Sequence, residues 1–154
     1  MNLRLTFLEM LLPLAALWVN REEKKILRLG IPLSADGLLD AVRMGVTHPE
    51  KIRLMQVNRI PWLNGRLMRL LSHAMPSVSA NTVGLCLRYG IYVRHRYWGS
   101  RHLIAHECVH TGQYERSGSI SGFLRTYFTE CLEFGYPDAP LEQEAIRRSA
   151  GLDD

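Results

Sequence analysis

One ten-residue segment, residues 103–112, restricts the possible folds of this chain more than any other feature. It reads LIAHECVHTG, with His106 and His110 four residues apart and Glu107 directly after the first histidine. Apart from these three side chains, the segment contains no ionisable group except one thiol, and no proline. Such a run favours a buried helix, because an unpaired interior charge is costly and proline interrupts helices.

The spacing of the two histidines suggests a chemical role. Residues four apart on a helix point the same way and lie about 6 Å apart along its axis. His106 and His110 can therefore converge on one zinc ion at about 2.0–2.1 Å. Glu107 is turned about 100° from His106, so it suits a base for a zinc-activated water better than a third ligand. The alternative is that the two histidines form only local hydrogen bonds.

A catalytic zinc site needs a third protein ligand and one open position. The main candidates lie on a helix predicted over residues 138–149. Glu142 shares a helix face with Ala145 and Ile146, which predicts that it is buried. Glu144 lies about 200° away around the helix and faces two arginines at i+3 and i+4, as in surface ion pairs. We therefore expect Glu142 to be the ligand, with Glu144 as the alternative. The other downstream carboxylates are Glu115, Glu130, Glu133, Asp138, Asp153 and Asp154.

The order of these motifs resembles that of the gluzincins, a class of zinc metallopeptidases. In gluzincins a His-Glu-x-x-His helix, here residues 106–110, is followed by a glutamate ligand on a separate helix, here Glu142. Membrane-associated gluzincins related to the prenyl-protein protease carry a similar Glu-x-x-Ala-Asp segment. This chain has Ala145 at the matching position, but Ile146 replaces the aspartate that supports a ligand in that group, and Asp138 is a candidate substitute.

Two further segments resemble a group of bacterial metallopeptidase-like domains of unassigned function: residues 113–116 (QYER) and residues 135–137 (GYP). The resemblance implies an α+β, zincin-like fold, mostly helical, with a small antiparallel sheet packed over the His-Glu-x-x-His helix. The strand predicted over residues 89–97 would be its edge strand and would pair with an extended peptide. Peptide hydrolysis also needs a donor for the oxyanion. The candidates are Tyr114, Tyr127, Tyr136, His95 and His102.

A strongly apolar stretch lies near the N-terminus, over residues 5–19. Glu9 interrupts it, no small-x-small cleavage site follows, and it is too short to span a bilayer. Its apolar residues suit a largely buried helix over residues 3–29 that ends at Gly30. We therefore expect a helix of the domain, with a membrane-associated helix or a cleaved signal peptide as alternatives.

Hydrophobic periodicity and turn residues predict the remaining elements. Strands are expected over residues 51–60, 83–86 and 89–97. The predicted helix over residues 62–75 is basic and amphipathic, so its apolar stripe is either part of the core or a membrane contact. Ser121 and Gly135 are the expected cap and end of another helix. The other predicted helices cover residues 35–44, 100–116 and 138–149.

Composition limits the partners and the compartment. The 154 residues suit one domain, residues 1–154. A net charge of +4 and a pI of about 9.2 permit an anionic partner but demand none. The sequence shows no RNA- or DNA-binding motif, so nucleic acid is not an expected partner. Three widely spaced cysteines form no disulfide framework, which indicates a reducing, cytoplasmic compartment.

These patterns together predict a zinc-dependent peptidase that acts on a peptide or protein substrate. Glu107 is the expected general base, and the expected zinc ligands are His106, His110 and Glu142. One alternative is a non-hydrolytic zinc-binding domain that regulates or binds a partner. Another is a basic membrane-surface protein whose HExxH segment holds no metal, and peripheral membrane contact is left open for either class. The presence of Glu107 favours a peptidase, because a structural zinc site normally has four protein ligands and needs no base.

Overall fold

The computed structural model describes residues 3–61 and 82–152, which form an α+β fold that is mostly helical, as predicted. The helices in these residues are α1 (Leu3–Leu29), α2 (Ala35–Arg43), α3 (Arg101–Ser117), α4 (Ile120–Phe134) and α5 (Pro140–Ser149). The strands are β1 (Ile31–Pro32), β2 (Arg53–Val57), β3 (Gly84–Leu87) and β4 (Gly90–Arg94), and short 3₁₀ turns lie at Pro49–Lys51 and His95–Tyr97.

Capping residues explain where the central helices begin and end. The Ser100 hydroxyl accepts a hydrogen bond from the Leu103 amide at 3.3 Å and caps α3. Gly118 ends α3 with a φ of 74°, a left-handed conformation that glycine adopts at little cost. Helix α4 begins earlier than predicted, because Ser119 rather than Ser121 is its cap.

The sheet is mixed, so the predicted antiparallel sheet is wrong. Its strand order is β1-β2-β4-β3. The outer pairs, β1 with β2 and β3 with β4, are antiparallel, whereas β2 and β4 pair in parallel. A strand's own periodicity reports which faces are buried but not which strand lies beside it. The parallel pairing therefore left no local signal in the sequence.

Strand β4 lies inside the sheet, so the prediction of an edge strand over residues 89–97 is also wrong. It pairs with β2 on one side and β3 on the other, and Ile91, Tyr92 and Val93 are fully buried. A strand covered on both faces reads as a continuous apolar run rather than an alternating one. Residues 95–97 form a 3₁₀ turn. The outer strand beside α3 is β3.

Two adjacent buried carboxylates fasten α1 to the sheet. Glu23 accepts hydrogen bonds from the Arg88 guanidinium at 2.7 and 2.9 Å and from the Tyr89 amide at 3.1 Å. Glu22 accepts a hydrogen bond from the Tyr92 hydroxyl at 2.7 Å. Buried charged groups are tolerated when their hydrogen bonds are satisfied in this way. The helix predicted over residues 3–29 is therefore present and packed on the fold.

Contacts between distant parts of the chain close the structure. Arg125 of α4 pairs with Glu9 of α1, 116 positions away, at 2.8 Å. Arg148 of α5 donates to the Met44 carbonyl, 104 positions away, at 2.9 Å. Helix α3 packs against α2, α5 and β3. This packing sets the histidine-bearing helix between another helix and the outer strand of the sheet.

The predictions for the cysteines and for two further segments remain to be compared with the structure. All three cysteines are free and buried, so none forms a disulfide. The predicted helix over residues 62–75 and the two candidate carboxylates at positions 153–154 lie outside the described residues.

Candidate metal centre

Helix α3 carries both histidines at its contact with α5. The predicted buried helix is confirmed: within residues 105–114 every residue except His106 is buried. The His106 side chain is 17% exposed and that of His110 is 8% exposed. One turn of helix separates the two imidazoles, whose ring centroids lie 5.0 Å apart. Both rings are therefore available on one side of the helix.

Helix α5 brings Glu142 to the same place. Its Oε2 lies 3.4 Å from Nε2 of His106, and its Oε1 lies 3.4 Å from Nε2 of His110. The candidate ligand atoms of the three residues all lie within 4.8 Å of one another. Pro140 in the first turn of α5 fixes the start of the helix, so that Glu142 and Ala145 occupy its buried face. The preferred third residue of the sequence prediction is thus the one that meets the histidines.

The spacing of these atoms suits a metal ion. Two ligand atoms at about 2.05 Å from a tetrahedral zinc ion lie about 3.3 Å apart, close to the 3.4 Å that separates each histidine from one of the two Glu142 oxygens. Hydrogen bonds between nitrogen and oxygen are usually shorter, at about 2.7–3.2 Å. Oε2 of Glu142 is also buried and has no hydrogen-bond partner in the described part of the chain. A cation among the three side chains would satisfy that oxygen.

Gln113 holds the His110 ring in position. Its Oε1 lies 2.8 Å from Nδ1 of His110. Its Nε2 donates to the Leu141 carbonyl and to a carboxylate oxygen of Glu144, both at 2.9 Å. Because both of these partners are acceptors, the orientation of the amide is fixed, and its oxygen must accept from Nδ1. In the neutral ring, the form that binds a metal, the proton is then on Nδ1, and the lone pair of Nε2 points toward Glu142.

Tyr127 of α4 holds the third carboxylate. Its hydroxyl donates to Oε1 of Glu142 at 2.6 Å. Its ring lies edge-on to that of His110, with centroids 6.0 Å apart. This hydrogen bond leaves Oε2 of Glu142 as the less satisfied oxygen. Three helices, α3, α4 and α5, therefore contribute to one site.

The charges in the site keep Glu142 ionised. Burial alone would raise its pKa, but the nearby imidazoles of His106 and His110 and the hydrogen bond from Tyr127 outweigh burial and lower the pKa. Burial would lower the pKa of His110, but the Glu142 carboxylate more than compensates and raises it to about 9. Glu142 is thus in the charged form that metal binding requires.

Glu107 lies between the metal-site residues and the outer strand. It is buried, at 6% exposure, and its carboxylate accepts a hydrogen bond from the Cys86 amide. Burial raises its pKa, while the positive charge that His106 and His110 can carry opposes that rise. A Cβ atom built on Gly84 would lie 2.7 Å from Oε1 of Glu107. Glycine at this position therefore allows β3 to approach the carboxylate closely.

Glu144 occupies a different environment. It forms ion pairs with Arg116 at 2.8 Å and with Arg148 at 3.2 Å. The pairing with Arg148 matches the i,i+4 geometry expected from the sequence, whereas Arg116 comes from α3. Among the described residues, the carboxylate that contacts both histidines is Glu142 rather than Glu144. Glu144 instead supports the site through Gln113.

The structure narrows the candidates for an oxyanion donor. Tyr114 is buried and stacks on Phe123, and the Tyr127 hydroxyl already donates to Glu142. Tyr136 is 51% exposed, yet partial burial and the nearby charges of Glu142 and Glu107 raise its pKa. It is thus an accessible phenol within electrostatic range of the site. The two histidines have other contacts: His95 with Gln56 at 2.6 Å and His102 with the Ser149 carbonyl at 3.1 Å.

The sequence interpretation missed the role of Gln113. Its position three residues after His110 was the available signal, since residues at i and i+3 share a helix face. Comparisons of the chain with protein-family models, curated proteins and solved structures found no match. The resemblance to the gluzincins therefore stays a prediction, and the case for a function depends on the geometry of the site.

Proposed function

We propose that this protein is a zinc-dependent peptidase. His106, His110 and Glu142 are the proposed zinc ligands, and Glu107 is the proposed general base. The observation that carries the proposal is the meeting of three donor side chains, two of them buried, whose ligand atoms lie within 4.8 Å of one another, with one carboxylate oxygen lacking a hydrogen bond. Two imidazoles and one carboxylate with an open fourth position form a donor set used by catalytic zinc in hydrolases.

The position of Glu107 next to His106, and its burial, support its proposed role as the general base. Zinc in such a site supplies Lewis acidity and lowers the pKa of a bound water toward about 7. Glu107 would accept a proton from the attacking water and return it to the departing amine. Its burial raises its pKa, and a higher pKa makes a carboxylate a better proton acceptor.

The backbone of the outer strand β3 lies beside the proposed base. The Arg94 amide donates to the Val83 carbonyl at 2.9 Å. In an antiparallel ladder alternate residues bond to the partner, so the backbone groups of Gly84 and Cys86 point away from β4. The Glu107 carboxylate accepts a hydrogen bond from the Cys86 amide. The outward-facing backbone of Gly84 lies beside the same carboxylate. Gly84 is itself buried beneath α3, so an extended peptide could pair with β3 beside the proposed base only if β3 and α3 moved apart.

The test combines metal analysis with an assay on an unstructured protein substrate. Purified protein should hold about one zinc ion per chain. Glu107→Gln should keep its zinc and fold but lose about 10²-fold or more of the activity, because the amide cannot act as a base. Glu133→Gln, which changes an exposed carboxylate on α4, is the matched control and should keep full activity.

Two results would contradict the proposal. One is equal, chelator-sensitive hydrolysis by the Glu107→Gln variant and the unmodified protein. The other is a folded, zinc-loaded protein that hydrolyses neither the unstructured protein nor a peptide library. Zinc added back after chelation should restore activity in the unmodified protein.

A second candidate is a non-hydrolytic metal-binding domain. The hydrogen bond from the Cys86 amide to Glu107 favours it, since this contact gives the carboxylate a structural role in holding β3 against α3. In that case Glu107→Gln would lower the stability of the fold, and the zinc-loaded protein would show no hydrolysis. Thermal unfolding of the variant, measured beside the activity assay, distinguishes the two functions.

A further inference from the structure

One side of α1 stays uncovered by the rest of the described structure. Four apolar residues in its first half recur at spacings of seven, four and three, so they form one line along the helix. Their exposure is high for large apolar side chains: Leu3 82%, Met10 72%, Leu14 53% and Leu17 64%. In the most apolar 18-residue stretch of α1, only 22% of the residues are buried. An exposed apolar line of this length marks a contact with a partner or a membrane.

The same side of α1 becomes basic in its second half. Arg21 follows Leu17 at i+4, and Lys25 and Arg28 continue the line at i+4 and i+7 from Arg21. All three are exposed, as is Lys24 beside them. We call the apolar line and these four basic residues the outer stripe of α1. The outer stripe therefore reads apolar for about four turns and then cationic for two.

The opposite side of α1 is committed to the fold. Leu8, Leu12, Ala15 and Val19 are buried in the core. Glu9 pairs with Arg125 of α4 at 2.8 Å, so the acidic side chain nearest the apolar line lies to one side of it and is already paired. The helix can offer its outer stripe without leaving its place in the structure.

We propose that the outer stripe of α1 binds the surface of a bilayer that contains anionic lipids. The apolar turns would enter the boundary between headgroups and acyl chains, and the basic turns would contact lipid phosphates and carboxylates. Apolar insertion combined with attraction of lysine and arginine to anionic lipids is the general mode of interfacial helices. The inference is independent of the metal site.

Charge complementarity favours lipid over a second copy of the chain. Two copies packed with α1 antiparallel would set the basic turns of one against the apolar turns of the other. A parallel arrangement would set Arg21, Lys25 and Arg28 against the same residues of the other copy, with repulsion between like charges. The surface of an anionic bilayer satisfies both halves of the stripe at once.

The packing of α1 also favours the surface over a bilayer-spanning arrangement. A spanning helix must offer apolar side chains to lipid all round its circumference. Glu22 and Glu23 of α1 form hydrogen bonds with groups next to and within the sheet. Moving the helix away from the sheet would break these hydrogen bonds and leave both carboxylates without partners. One side of α1 therefore remains with the protein.

Flotation of the full chain with lipid vesicles tests the proposal. The protein should float with vesicles of phosphatidylcholine and phosphatidylserine, and its affinity for pure phosphatidylcholine vesicles should be lower by about 10-fold or more. Raising the salt concentration should release it from the anionic vesicles. The triple change Met10→Gln/Leu14→Gln/Leu17→Gln should weaken binding by about 10-fold or more. The change Lys24→Glu/Lys25→Glu should abolish the preference for anionic vesicles.

Matched control variants use exposed residues elsewhere. Leu39→Gln/Val42→Gln on α2 removes apolar side chains that are 59% and 57% exposed, and Arg59→Glu/Arg96→Glu reverses two exposed basic residues. Both should bind like the unmodified protein, with circular dichroism as the check of folding. The proposal is overturned if the folded protein ignores anionic vesicles, binds both vesicle types equally, or is weakened as much by the controls. A dimer that dissociates in the triple variant, without vesicle binding, would identify a second copy instead.

Discussion

At the scale of single residues, Glu142 is where the site can be tested most directly. Glu142→Ala removes one of three proposed ligands, so its loss of zinc affinity should exceed the 10–100-fold typical of a supporting residue. Glu144→Ala removes two ion pairs and one of the two acceptors of the Gln113 amide, so its loss of zinc affinity should stay well below that of Glu142→Ala. Competition with a zinc-sensitive dye measures both affinities. A larger loss of zinc affinity in Glu144→Ala than in Glu142→Ala would identify Glu144 as the ligand instead.

Gln113 gives a second prediction at this scale. Gln113→Leu keeps the size of the side chain but removes the acceptor for Nδ1 of His110 and the link to α5. We expect zinc affinity to fall about 10–100-fold, as for other residues that orient a ligand. Gln143→Leu on α5 is the control, because its amide contacts the Pro137 carbonyl instead of a histidine. Equal affinities in the two variants would remove Gln113 from the site.

Gly84 gives a third prediction, which depends on the proposed activity. An alanine methyl group at this position would lie 2.7 Å from Oε1 of Glu107 and 3.1 Å from Cδ1 of Leu103. Because Glu107 is buried, its carboxylate has no free space to move into without leaving its present position. Gly84→Ala should therefore push the carboxylate out of the position required of the proposed base. The expected result is a kcat about 10-fold or more lower, with zinc content unchanged. Gly151→Ala, which meets no atom within 4 Å, should leave kcat unaltered.

At the scale of secondary-structure elements, one ion pair joins α2 to α3. Asp40 accepts hydrogen bonds from the Arg101 guanidinium at 2.7 and 2.9 Å, and these bonds lower its pKa despite burial. A lowered carboxyl pKa contributes stability that is present above the unfolded value of about 3.9 and lost as pH falls through the folded value.

Asp40→Asn should therefore lower the free energy of unfolding at pH 7 by about 1–3 kcal/mol, the usual contribution of a hydrogen bond to a charged group. Its stability should also change less between about pH 4 and pH 2 than that of the unmodified protein. Urea titrations at several pH values measure both effects. Asp138→Asn, an exposed carboxylate, is the control. An unchanged slope in Asp40→Asn would show that the pair contributes nothing.

The helices and the strands differed in how well the sequence predicted them. Helix α3 and the face of α5 that carries Glu142 were predictable, because capping residues and a 3.6-residue period are local properties. The partners of β4 were not, because strand pairing depends on distant residues that leave no mark on the strand itself. The contact of Tyr127 with Glu142 was missed for the same reason, since it joins α4 to α5.

At the scale of the whole molecule, a metal ion would link parts of the chain that otherwise meet by packing. His106 and His110 lie on α3 and Glu142 lies on α5. A ligand that binds only the folded state at about 1,000 times its Kd stabilises it by about 4 kcal/mol. Zinc at that excess should raise the Tm by about 10 °C, as measured by scanning calorimetry with and without chelator. The same zinc excess should shift the Tm of Glu142→Ala far less.

The hydrogen bond from Arg148 to the Met44 carbonyl joins residues 104 positions apart, and the ion pair of Glu9 with Arg125 joins residues 116 positions apart. Contacts this distant lower chain entropy during folding before they add stability. Folding speed in small proteins is governed mainly by how local the native contacts are. This protein, although mostly helical, should therefore refold more slowly than a simple helical bundle of the same length.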